Sequence, residues 1–94
     1  MANNLFISYE LGDWDKNFET VASEIEKLGT FAQVQSTMWF AKSDMSAEAV
    51  CNAIWAVMDK ENDSLLVVDT VNNTAFWQNI QKEVAEFFQS EWNS

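Results

Sequence analysis

The chain has 94 residues, 48% of them hydrophobic, which suffices for one core and leaves no length for a second. Fifteen Asp and Glu stand against five Lys and Arg, a formal charge of -10 that repels phosphate backbones and disfavours direct binding of nucleic acid. With no His and a single Cys, the usual Ser-His-Asp and Cys-His nucleophilic arrangements are excluded, as is a structural zinc site.

The opening residues MANNLFISYE carry no basic leader, and no stretch approaches the roughly 18 apolar residues of a membrane span, so a soluble cytoplasmic protein is expected. Within NLFISYE, Leu5, Ile7 and Tyr9 alternate with Phe6, Ser8 and Glu10, the period of two of a first strand. Gly12 and Asp13 break it. Asp15 can then cap a helix whose apolar stripe is Phe18, Val21, Ala22, Ile25 and Leu28, closed by Gly29. From Thr30 to Ala41 the even positions Ala32, Val34, Met38 and Phe40 are apolar, which predicts one long strand or two joined by a bend at Ser36. Trp39 interrupts the polar side of this stretch. A large indole there must cover something, either a partner surface or the C-terminal segment.

Ser46 is a good N-cap for a second helix that ends near Lys60, with Ala47, Val50, Cys51, Ile54, Val57 and Met58 on its apolar stripe. Cys51 has no partner for an intramolecular bridge and is expected to be a small buried hydrophobe. The β-branched run LLVVD, Leu65 to Asp69, reads as a central strand. In the tail, Phe76 and Trp77 fit either a final edge strand or one helical stripe with Ile80, Val84, Phe87 and Phe88. The expectation adopted is a helix from about Thr74 to Trp92. The whole reads as one α+β domain, a ferredoxin-like sheet packed by two helices with a C-terminal helical extension.

Three stretches carry a family resemblance. LFISYELGDWDK, VQSTMWFAKSDMSAEAV and DSLLVVDT are similar to the first strand, the strand-bend-strand with its following helix, and the next strand of the small CRISPR-associated adaptation protein, the second Cas protein, and its stand-alone ferredoxin-like relatives. The resemblance implies a symmetric homodimer paired through sheets and C-terminal extensions. It also implies an acid at the end of the first strand that holds Mg²⁺ or Mn²⁺ for phosphodiester cleavage. That family acid is Asp, and the matching position here is Glu10. The extra methylene displaces the ligand, and Mg²⁺ demands near-ideal octahedral geometry. The basic residues that surround the first helix in DNA-binding members are replaced by Asp13, Asp15, Glu19, Glu24 and Glu26, with only Lys16 and Lys27 among them.

Two arrangements of acids compete. Glu10, Asp13, Asp15 and Asp69 would converge on a divalent ion if β-strand ends met, with Glu10 and Asp69 as principal ligands; otherwise they are helix caps, a turn and a solvated side chain. Aromatics in excess, Trp39, Trp77, Phe88 and Trp92, are candidate partner-binding or self-association residues. The surface acids Glu24 and Glu26 are candidates for contacting a basic partner. Three functions follow. The first is a small acidic, non-catalytic, dimeric interaction protein that binds and inhibits a basic nucleic-acid-binding partner such as a phage-defence nuclease. The second is a metal-dependent nuclease acting through Glu10, and the third an assembly subunit joined through its aromatic tail.

Overall fold

The computed structural model describes residues 2–92. Its elements run β1 (Asn3–Glu10), α1 (Trp14–Glu26), β2 (Thr30–Gln35), β3 (Met38–Ser43), α2 (Ala47–Trp55), β4 (Ser64–Asp69), β5 (Thr74–Gln78) and α3 (Lys82–Glu91). The strands form one antiparallel sheet in the order β2-β3-β1-β4-β5. This is an α+β architecture, with β1 at the centre as the third of five strands.

Alternation along β1 decides which face is the core. Leu5, Ile7 and Tyr9 are buried, and the antiparallel registers put Ala41, Trp39, Leu65 and Val67 on the same face. Against that face α1 brings Val21, Ala22 and Ile25, and α2 brings Ala47, Val50, Cys51 and Ile54. These residues belong to the stripes expected at helical spacing, but each helix stops short of its stripe's end: Leu28 lies beyond α1, and α2 ends at Trp55, so that Val57 and Met58 pack from the turn after it and not from a helix reaching Lys60. Both helices are capped from their own sequence. Asp13 accepts from the Lys16 N–H at 3.2 Å and Ser46 from the Ala49 N–H at 3.1 Å. The first of these corrects the capping assignment: Asp13 is the N-cap, and Asp15 lies in the first turn, where its charge still favours the helix dipole.

Gly12 and Gly29 are positions no other residue fits. A Cβ on Gly12 would lie 2.5 Å from the Asn62 Cβ, where the β1–α1 loop crosses the loop before β4. Gly29 has φ of 141° and its missing Cβ leaves room for the Lys42 carbonyl.

The stretch Thr30 to Ala41 forms two strands, turning at Ser36 and Thr37, with a bulge between Gln33 and Gln35. Trp39 covers neither a partner surface nor the C-terminal segment. It is 4% exposed within the core, and its indole N–H donates to the Tyr9 hydroxyl at 2.9 Å, which itself donates to the Ser36 carbonyl at 3.3 Å. This relay fastens the β2–β3 turn to the core, and it satisfies the polar end of a buried indole.

The tail corrects the expectation of a continuous helix from Thr74 to Trp92. Thr74–Gln78 is instead the edge strand β5, paired with β4 from Asp69↔Thr74 to Leu65↔Gln78. Asn73 (φ 54°) closes the hairpin and Asn79 (φ 58°) ends the strand. The Asn79 side chain donates to the Asp63 carbonyl at 2.8 Å, so the chain can turn into α3 only after leaving the sheet. α3 lies along the second face, its Phe88 ring edge-on to Trp77 at 5.5 Å and the Trp92 indole donating to the Asn73 carbonyl at 2.9 Å.

Candidate interaction surface

The acids proposed as a metal pair do not meet. Glu10 pairs with Ser64 and Asp69 with Leu5, so the two carboxylates occupy opposite ends of paired strands, about 16 Å apart along the sheet at 3.3 Å per residue. Side-by-side strands bring these two ends together only if they run parallel, and β1 and β4 are antiparallel. Asp69 is also fully engaged in its own turn, accepting from the backbone N–H groups of Val71 (2.9 Å) and Asn72 (3.2 Å) and from the Asn72 amide (2.7 Å). Burial alone would raise the Asp69 carboxyl, but those bonds outweigh it and hold its pKa below the ordinary value. Among the described residues no group of three or more His, Cys, Asp or Glu is placed to share a metal ion.

Asp63, at the end of the loop before β4, joins segments far apart in the chain. It is fully buried and accepts from the Gly12 N–H (2.8 Å), the Asn17 amide (3.0 Å) and the Asp59 N–H (2.8 Å). It thereby ties together the β1–α1 loop, α1 and the α2–β4 loop. Beside this knot a polar cleft of about 680 Å³ opens, lined by Asp13, Lys16, Asn17 and Asp59. The Asp59 carboxyl is held below its usual pKa, chiefly by the Asn62 side chain. Cys51 is buried on the core side of α2, where it packs in the hydrophobic cluster, and burial pushes its thiol up to about 11.

The remaining acids are distributed unequally. Only Asp63 and Asp69 are buried, Glu24 and Asp59 are partly covered, and the other eleven stand exposed. Most belong to the helices and their loops. Of the two acids proposed for partner contact, Glu24 is engaged by Lys27 at 2.6 Å on its own helix, whereas Glu26 is exposed. That ion pair is the only one among the described residues, so the negative charge is largely uncompensated.

The sheet face away from α1 and α2 has a different chemistry. Phe6 and Phe40 meet there edge-to-face at 5.5 Å, and the registers align Met38, Leu66, Val68 and Trp77 with them. All are only partly covered. Among the strand residues of this face the charged ones are Lys42 and, at the strand end, Glu10, which lines a groove of about 530 Å³ with Ser64 and the Asn79–Val84 segment leading into α3. Trp77, Phe88 and Trp92 largely satisfy one another, Phe88 and Trp92 lying 6.5 Å apart. The aromatic left most exposed is Phe87 at 63%, a residue whose helical stripe was legible but whose outward position was not.

None of the described helices is long and apolar enough to cross a membrane. No protein-family model and no curated protein matches the chain.

Proposed function

We propose that this chain is a small, acidic, non-catalytic interaction protein that occupies a basic, nucleic-acid-binding partner in the cytoplasm, such as a phage-defence nuclease, and does so as a homodimer. The observation that carries the reading is the segregation of its surface. Eleven exposed acids with a single ion pair among the described residues present a negative field, which steers toward a basic surface and away from phosphate. Pairing of two copies through the Phe6–Phe40 part of the second face fits the same segregation, because the strand residues there are largely apolar and Glu10 is the one acid among them.

The ferredoxin-like reading, and with it the likeness to the CRISPR adaptation protein, is supported by the β2-β3-β1-β4 run of the sheet and by two helices on one face. The fifth strand departs from that four-strand pattern. A metal-dependent nuclease is the weaker reading, since Glu10 lacks a second carboxylate beside it in the register.

The test is capture of binding partners by the tagged chain from phage-infected cells at low and moderate salt. Retention of a basic nuclease or nucleic-acid-binding complex, eluted by salt and lost in a Glu19→Lys/Glu26→Lys variant, is the expected result. Divalent-metal-dependent cleavage by the purified chain, abolished in Glu10→Ala, would replace this reading with the nuclease.

A further inference from the structure

β2 is an edge strand with one side of its backbone unpaired, and all six of its residues are exposed. Edge strands are commonly protected by lysines, prolines or covering loops. Here there is no such guard: from Leu28 to Ala41 no residue is charged and none is proline, in a chain where 21% of residues are charged. A bulge between Gln33 and Gln35 bends the far end, leaving Thr30–Gln33 as a regular stretch able to accept another strand.

The wall beside this edge is α1, and helix geometry identifies which side of it faces there. Asn17 donates to Asp63 just ahead of β4, so its flank of α1 looks toward the β4 half of the sheet. At 100° per residue, Asp15, Glu19 and Glu26 fall on the opposite flank, all about 160–180° from Asn17, and therefore border the β2 edge. All three are exposed and none of them forms an ion pair among the described residues, Lys16 lining the cleft beside Asn17 and Lys27 being drawn to Glu24.

We infer that the β2 edge is a docking site for an extended basic segment of a partner protein, which adds to the sheet as a sixth strand and lays its Lys or Arg side chains against Asp15, Glu19 and Glu26. The inference rests on the proposed reading and deepens it, by giving the basic partner a surface and a conformation. Backbone pairing supplies contact without sequence demand, and the carboxylate stripe selects the charge of alternate side chains. The same stripe excludes the obvious competitor. A second copy paired β2 to β2 about a twofold axis would set two such stripes face to face, with like charges opposed across the seam.

The test uses an eight-residue peptide of alternating Lys and Thr, titrated into the ¹⁵N-labelled full chain at low salt. Saturable shifts at the backbone amides of Thr30–Gln33 are expected, weakened at least tenfold by Asp15→Lys/Glu19→Lys/Glu26→Lys, three exposed positions. The same peptide with every backbone amide N-methylated keeps its charge but loses its N–H donors, and its methyl groups hold the chain off the edge at a distance no ladder tolerates, so it is expected not to shift those amides. Equal binding of the methylated peptide, or shifts spread over all acidic surfaces, would overturn the site as a mere charge sink. Concentration-dependent shifts of Thr30–Gln33 without peptide would overturn it in favour of a second copy. Because the assay needs no cellular partner, its failure beside a successful salt-eluted capture removes the edge site alone and leaves the broader reading standing.

Discussion

Individual residues hold this molecule together where its loops cross. Asp63 closes three segments with one carboxylate, and its removal leaves each of the three donors without an acceptor. Asp63→Ala is expected to destabilise the fold by about 2 kcal/mol, read as a lowered urea midpoint at constant slope, because the part-buried Gly12, Asn17 and Asp59 donors lose the one acceptor they share. Glu61→Ala, two residues away and exposed, is the control and should fall within about 0.5 kcal/mol of the parent. A similar loss in both would mean that the turn as a whole, and not the carboxylate, sets the stability. Gly12 belongs to the same crossing: Asn62 stands where its Cβ would be, so the two loops can share the Asp63 carboxylate only if one of them contributes no side chain.

Among the elements, β5 and α3 divide the labour that one long helix was expected to perform. β5 completes the sheet beside β4 and shields Leu66 and Val67 from being edge residues, while α3, with no buried residue of its own, rests on Trp77 through Phe88. Truncation after Gln81 should therefore preserve a cooperative thermal melt and the strand signal in far-ultraviolet circular dichroism. Truncation after Val71 should abolish both, since β4 would become an edge with its apolar side chains uncovered. If the shorter cut were as disruptive as the longer, α3 would be part of the core, contrary to its exposure.

For the molecule as a whole, charge is the dominant surface property. With fifteen acids, five lysines and one ion pair among the described residues, folding gathers like charges with little compensation. The melting temperature is expected to rise by several degrees between about 10 mM and about 1 M NaCl, as the screening length falls from about 30 Å to about 3 Å. A melting temperature that fell with salt would reveal favourable ion pairs outweighing the repulsion. Partner capture should run the other way and weaken with salt, so stability and binding are separable by ionic strength alone.

Sequence alone determined what depends on near neighbours along the chain. The alternation of β1, the core residues of the α1 and α2 stripes, the Ser46 cap and the break at Gly12 each follow from spacing or from one residue's own geometry and stand in the structure as read; the helix ends do not, since α1 stops at Glu26 with Lys27 as its C-cap, two residues before Gly29, and α2 stops at Trp55. The acidic surface was equally legible, because a charge of -10 cannot be hidden in any fold of 94 residues. Tertiary structure decided the rest, where two periodicities fitted one segment or where partners lie far apart. Phe76 and Trp77 suit a helix and a strand alike, and only the open edge of β4 made the strand the better place for their backbone. Trp39 looked misplaced on a polar side until Tyr9, thirty residues earlier, supplied a hydroxyl for its indole. Asp63 could not be told from any turn acid without Gly12 and Asn17 against it. Antiparallel register, which no local pattern states, sent Glu10 and Asp69 to opposite ends of the sheet and left β2 as its unguarded edge.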